Sequence, residues 1–247
     1  MTQDNDKLNR CIHMLVAANR ILANEGVVDA YGHVSIRHPF EPKQYLISRS
    51  LSPELVTAQD IFAFHLDGSP VDPNTPTPYL ERFIHGSVYK KRADIHAVVH
   101  SHADDVLPFT IAREPLRPVI NTASDMGLEV PLWDIHDHFG DTNLLVTNTE
   151  QGDDLAQGLG EHKVILMRGH GFTAAGKNLV EVVKVAIYMP KNAKILMNAL
   201  RLGPVKGLTP GEIEIRSKVD PKSPQMWRAW EFWCSKAGIS AGSKEDL

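Results

Sequence analysis

The stretch His96-Ala97-Val98-Val99-His100-Ser101-His102 constrains the fold more than any other part of this chain. Its apolar run reads as a buried strand, and that strand ends in two imidazoles separated by a single serine. Side chains at i and i+2 of a strand leave the same face, so His100 and His102 project together. Burying a polar group without a partner costs about 1–3 kcal/mol by mutational estimates. A fold that buries this strand must therefore bring something to those nitrogens.

Two imidazoles on one strand face make half of a metal site. A third is offered by His170 in Met167-Arg168-Gly169-His170-Gly171, at the end of the apolar run Val164-Ile165-Leu166. Glycines on both sides let the backbone turn sharply there. Three neutral imidazoles with an open position describe a catalytic metal site, in contrast to a closed structural one. Glu81, in Pro78-Tyr79-Leu80-Glu81-Arg82, is the candidate acid or base. It also suits a helix N-terminus, where the macrodipole favours a carboxylate, and its position fits both readings. His85, four residues on, is placed to bond Glu81 or to face solvent.

The remaining pattern predicts helices and short strands without strict alternation. Leu8, Cys11, Ile12, Leu15 and Leu22 recur at helical spacing up to Asn24-Glu25-Gly26. Segments 33–39, 44–50, 60–71, 97–102, 143–147 and 163–171 read as strands, the third running into an Asp-Gly turn. Helices are predicted from Thr75-Pro76-Thr77-Pro78 onward, from 104, over 150–161, and over 179–203, the last a single long helix or a pair interrupted at Pro190. We expect one α/β or α+β layered domain over 1–247 with a largely antiparallel sheet. An aromatic-rich helical segment at about 222–240 carries Trp227, Trp230 and Trp233 at a spacing of three, along one helical face.

Composition serves mainly to exclude. With 247 residues, 43% apolar and 23% charged, an ordinary globular core is accessible. A net charge of −4 gives no global pull toward nucleic acid or anionic membrane. The two cysteines, Cys11 and Cys234, lie far apart, which suits a reducing compartment. The polar N-terminus does not read as a signal peptide, and no apolar stretch approaches the length of a membrane span, so a soluble cytoplasmic protein is expected.

Taken in order, the motifs Glu25-Gly26-Val27-Val28-Asp29-Ala30-Tyr31-Gly32-His33, Tyr45-Leu46-Ile47-Ser48, Pro78-Tyr79-Leu80-Glu81, Val98-Val99-His100-Ser101-His102 and Arg168-Gly169-His170-Gly171 resemble the class II aldolase/adducin family. The resemblance covers the chain down to about residue 200. It implies a single-domain α/β/α fold around a mainly antiparallel sheet. It implies His100, His102 and His170 as ligands of one divalent metal ion, with Glu81 as the acid/base. The ligand set would accept Mn, Zn, Fe or Co. The resemblance further implies a homo-oligomer, commonly a tetramer with active sites at subunit interfaces.

Departures from the sugar-phosphate aldolases of that family bear on the substrate. Where those enzymes cradle phosphate with small hydroxyl and backbone donors, this chain has His33 after Gly32, Arg49 between Ser48 and Ser50, and Tyr79 before Leu80. Arg binds carboxylate bidentately and stacks on rings, so this pocket suits a planar carboxylated small molecule. Arg49 equally suits a surface ion pair. These departures resemble the metal-dependent decarboxylase branch, whose members act on hydroxylated aromatic or pyridine dicarboxylic acids or on ring-cleavage products of aromatic catabolism. A lyase releasing CO2 is thus expected ahead of a sugar or sugar-phosphate aldolase or epimerase. A non-catalytic adducin-like interaction protein would lack the ligands kept here. The second His-x-His, His136 and His138, sits among acids without apolar flanks and reads as a polar loop over the pocket mouth.

Overall fold

The strand that ends in the two histidines lies at the centre of a seven-stranded sheet. In the computed structural model, which describes residues 2–217, 220 and 222–244, the strands are β1 (His33–Arg37), β2 (Gln44–Ser48), β3 (Ile61–His65), β4 (Ala97–Ser101), β5 (Leu132–Trp133), β6 (Val164–Met167) and β7 (Gly171–Gly176). Their order is β3-β2-β1-β4-β7-β6-β5. Every neighbouring pair is antiparallel except β5 with β6. The expected α/β fold with a mainly antiparallel central sheet is the one observed. The helices are α1 (Thr2–Asn24), α2 (Arg82–Lys91), α3 (Leu107–Ile111), α4 (His136–Phe139), α5 (Thr149–Leu159), α6 (Leu179–Leu200), α7 (Pro210–Ser217) and α8 (Pro224–Lys236). Among the described residues no helix is long and apolar enough to cross a membrane.

The period of two along each strand divides the core into two layers. Val34, Ile36, Val99, Phe172 and Ala174 pack with Leu15 and Ile21 of α1, Val183 and Ile187 of α6 and Trp230 of α8. Ile47, Val98, Ile165 and Ala175 face the opposite way, onto Ile84, Val88 and Tyr89 of α2 and Leu155 and Leu159 of α5. The same alternation puts His33, Ser35 and His100 on the side of α2, whose N-cap position Glu81 occupies.

Three local expectations are corrected. Residues 143–147 form a loop in place of a strand. Leu144 has φ +66, and the N–H groups of Leu144 and Leu145 bond the side chains of Thr142 and Asn143. Backbone donors satisfied by neighbouring side chains are withdrawn from any ladder. Helix α2 starts at Arg82, several residues after Thr75, because the α region is disfavoured before Pro78 and this segment pairs instead with β2's end, Pro78 bridging Arg49 and the Thr77 carbonyl accepting from the Ser50 N–H at 2.9 Å. Pro190 does not interrupt α6, which runs through it unbroken. A proline inside a helix costs about 3 kcal/mol, from the lost hydrogen bond and the clash of its ring with the preceding turn. Val182, Val183, Ala186, Ile187, Ala193 and Leu196 are fully buried on either side. Each such aliphatic side chain larger than alanine contributes about 1.5–3 kcal/mol, which outweighs the break. The six-residue β7, with small residues at Ala174, Ala175 and Gly176, was not visible as a strand in the sequence pattern.

The three tryptophans of α8 are buried against the body of the same chain, with the Trp230 Nε1–H donating to the carbonyl of Ala241 at 2.9 Å. Helix α6 is capped by Asn178, whose side chain accepts from the Glu181 N–H at 2.9 Å. Asn178→Ala is expected to cost about 1 kcal/mol. Urea titration should show a lower midpoint at unchanged slope. An unmoved midpoint would mean the cap contributes nothing.

Candidate metal centre and its cavity

Each component of the site is delivered by a different element. β4 supplies His100 at its penultimate position, and His102 follows just beyond its end. The turn between β6 and β7 supplies His170, with Gly169 at φ +61. At Gly171 a Cβ would lie 2.1 Å from the carbonyl oxygen of Ser101, so only glycine lets β7 come this close to β4. Glu81 occupies the N-cap position of α2 without capping it. Its Oε1 accepts instead from the N–H of Val146 at 3.0 Å, which leaves Oε2 aimed at the histidines.

The four side chains converge. His102 Nε2 lies 2.9 Å from His100 Nε2 and 3.0 Å from His170 Nε2. Glu81 Oε2 lies 3.5 Å from His100 Nε2 and 3.4 Å from His170 Nε2. One donor atom from each of the four falls within 4.8 Å of the others. His100 Nδ1 is 3.0 Å from the carbonyl of Phe172. A carbonyl only accepts, so Nδ1 carries the proton and Nε2 presents a lone pair to the cluster. Such a backbone partner is the usual way a ligating histidine is oriented.

The electrostatics agree. Burial pushes His102 down to about 3, reinforced by His100 and His170. Burial also lowers His100, against the opposing pull of Glu81. Burial alone would raise Glu81, but His100 and then His170 outweigh it and hold the carboxyl well below the usual carboxylate range. His100 and His102 are thus disposed to offer lone pairs rather than protons to the cluster. Nδ1 of His170 is buried without a partner among the described residues. Three imidazoles and a carboxylate with surplus lone pairs fit a divalent cation of the borderline class.

A cavity of about 370 Å³ opens beside the cluster, lined among others by Tyr31, Gly32, His33, Tyr79, Glu81 and His102. The structure therefore brings together Glu81, the three histidines, His33 and Tyr79. Arg49 is not among the lining residues. Its Nε donates to Asp60 at 2.7 Å, in an ion pair beside the cavity, while its neighbours Ser50, Leu51 and Ser52 line the wall. The Tyr79 hydroxyl donates to the carbonyl of Leu51 and accepts from Ser48 at 3.2 Å, so this side chain offers the cavity its ring. His136 and His138 are exposed and are not among the residues that line the cavity; His138 bonds Asp154 at 2.8 Å and His136 lies 3.6 Å from Asp141.

His85 neither bonds Glu81 nor faces solvent. It is fully buried, with Nε2 2.6 Å from His33 Nδ1 and Nδ1 2.6 Å from Ser35 Oγ. Ser35 Oγ in turn lies 2.8 Å from the Tyr89 hydroxyl. Of this chain, sequence reasoning reached only His33 as a site residue; the i to i+4 spacing of Tyr89 behind His85 was the available signal. Burial, then His100, pushes His85 down to about 3 from an ordinary 6.5. Between these values the unfolded chain binds a proton that the folded chain excludes, so folding stability falls as pH drops. Metal-free protein should show a lower urea midpoint near pH 5 than at neutral pH, with a shallower dependence in His85→Gln. Equal slopes in the two proteins would remove His85 from this account.

A sheet of this order, with three His gathered where its central strands end and a Glu from the start of α2, defines an architecture carrying a cluster that could hold a metal ion. Residues 13–197 match the class II aldolase and adducin N-terminal domain, and the chain belongs to that family. Among curated relatives it is 36% identical over 245 residues to the decarboxylase tropJ of Talaromyces stipitatus, covering 90% of this chain and 92% of that one. It is 26% identical over 200 residues to a 3,4-dihydroxyphthalate decarboxylase of Arthrobacter keyseri, covering 76% and 78%. The fold is shared with an L-fuculose 1-phosphate aldolase from Glaciozyma antarctica, at a TM-score of 0.71, 22% identity and coverage of 93% and 88%.

Proposed function

We propose that this chain is a divalent-metal-dependent decarboxylase of a hydroxylated aromatic, pyridine or ring-cleavage carboxylic acid. The observation that carries the reading is the convergence of Glu81 with His100, His102 and His170 beside a cavity sized for a single ring. Two relatives named as decarboxylases support the direction of the chemistry, one of them similar over nine-tenths of both chains. His100, His102, His170 and Glu81 would hold the ion. When bound, it supplies a Lewis acid that takes up negative charge as CO2 departs.

The chain's own groups account for the proton. An ortho-hydroxy carboxylate becomes a β-keto acid when its hydroxyl proton moves to the ring carbon bearing the carboxylate. Glu81 is ionised and can take that proton; one oxygen is steadied by Val146 and the other faces the site. Delivered to carbon, the proton replaces CO2 once the C–C electron pair falls back into the ring. His33 and the Tyr79 ring form the wall against which a planar acid packs, their own ring centroids 4.6 Å apart. Tyr31 and Leu80 stand 70% and 64% exposed. They fit the homotetramer proposed for the assembly, which light scattering would test. A cytoplasmic location and a place in aromatic catabolism belong to the same reading.

The test is a screen of ortho-hydroxy aromatic acids for CO2 release by metal-replete protein, repeated in D2O. The expected product carries one deuterium on the ring carbon that lost CO2. Cleavage of phosphorylated sugars into an aldehyde pair, with no CO2 from any aromatic acid, would overturn the proposal in favour of an aldolase.

A further inference from the structure

His33, Ser35, His85 and Tyr89 form a continuous file of buried polar groups leading away from the cavity, on the α2 face of the sheet. His33 is 4% exposed, Tyr89 1%, and His85 and Ser35 fully buried. The steps are 2.6, 2.6 and 2.8 Å, each a full hydrogen bond. Nothing in the proton chemistry described above requires such a file behind the cavity wall.

The direction of its protons is set at the far end. Tyr89 has one hydroxyl proton, and burial pushes its pKa well above the ordinary value, so the proton stays. Among the described residues the acceptor at hand is Ser35 Oγ. The Val98 N–H, which also bonds the phenol oxygen, can only donate. Tyr89 therefore donates to Ser35. Ser35, with a single proton, must spend it on His85 Nδ1. His85 is then protonated at Nε2 and donates to His33 Nδ1, which leaves the His33 proton on Nε2. The reverse order would strand the Tyr89 proton, buried, without an acceptor, which is disfavoured.

The geometry points to Tyr89, Ser35 and His85 as positioning residues that lock His33 in its Nε2–H tautomer, making it a fixed donor to an anionic oxygen of the substrate in the cavity. The identity of that oxygen rests on the decarboxylase reading; the tautomer does not. A locked donor discriminates by chemistry. It rewards a carboxylate or phenolate oxygen and leaves a donor group at that place unpaired, a mismatch that binding sites reject strongly. Register makes the arrangement possible, since His33 pairs directly with His100 across β1 and β4. The donor is thereby fixed beside the metal cluster, with the two ring centroids 5.1 Å apart.

The test uses zinc-loaded full-length protein with 15N-labelled histidine, in which two-bond nitrogen–proton correlations distinguish the tautomers. The His33 signals are assigned by their loss in His33→Asn. The expected wild-type pattern is that of Nε2–H. Tyr89→Phe, which keeps the ring volume, should shift the tautomer ratio about five- to tenfold toward Nδ1–H. A wild-type Nδ1–H tautomer, or a ratio unmoved by Tyr89→Phe, would overturn the proposal. Calorimetry with salicylate supplies the second readout. Tyr89→Phe should weaken salicylate binding roughly three- to tenfold in wild type and leave it unchanged in a His33→Asn background. Equal losses in both backgrounds would assign Tyr89 a purely structural role and also overturn it. Salicylate failing to bind at all would count against the aromatic-acid reading, while the tautomer measurement would still decide the file.

Discussion

Exchange of Glu81 for glutamine is expected to lower kcat by roughly 10²-fold or more, the usual worth of a general acid–base group. The fold should survive. Glutamine has the same shape, and its amide oxygen can keep accepting from Val146, the bond that holds Oε1 at 3.0 Å. Its NH2 would then face His100 and His170 where Oε2 now does, at 3.5 and 3.4 Å. That exchange offers protons to nitrogens that need none and takes away both the negative charge and the proton acceptor. Circular dichroism and urea midpoint should stay near wild type while turnover collapses. A Glu81→Gln variant with near-normal kcat would remove Glu81 from the chemistry, whatever its place in the cluster.

Protein purified without chelator is expected to carry close to one divalent ion per chain, and His102→Ala to lose most of it. His102 is the hub of the cluster, with its Nε2 within 3.0 Å of both other ligand nitrogens. Removing an outer partner of a metal ligand already costs roughly 10–100-fold in affinity, so losing a ligand should cost at least that. His102 is also only partly buried, standing at the cavity wall, so truncation should spare the core. Elemental analysis of wild type and variant checks both statements. Metal-free wild-type protein whose activity is indifferent to chelator would sink the assignment of all four residues.

Much of the site was legible because its signals are local. The period of two that pairs His100 with His102 is a property of one strand, and the glycines around His170 are a property of one turn. Glu81 stood out by its place ahead of a helix. The strands β1 to β4 and the helices α1, α5 and α8 likewise announced themselves by apolar spacing or by turn residues. Where local signals competed, the sequence misled. Leu144-Leu145-Val146 has the composition of a strand, yet its amides bond Thr142, Asn143 and Glu81. Arg49 has the chemistry of a carboxylate clamp, yet Asp60 is 2.7 Å from its Nε.

The sequence by itself therefore determined which residues are able to hold a metal, that the strand carrying His100 is buried, and that a carboxylate stands ready to join them. Only the tertiary structure decided that β1 lies against β4 with His33 opposite His100, that α2 covers this face, and that His85 turns inward to His33 and Ser35. The physical reason is range. Periodicity and propensity are set by neighbours a few residues apart, whereas strand order and register are chosen by burying two apolar faces at once, across contacts 50 or more residues apart such as His33 with His85, separated by 52.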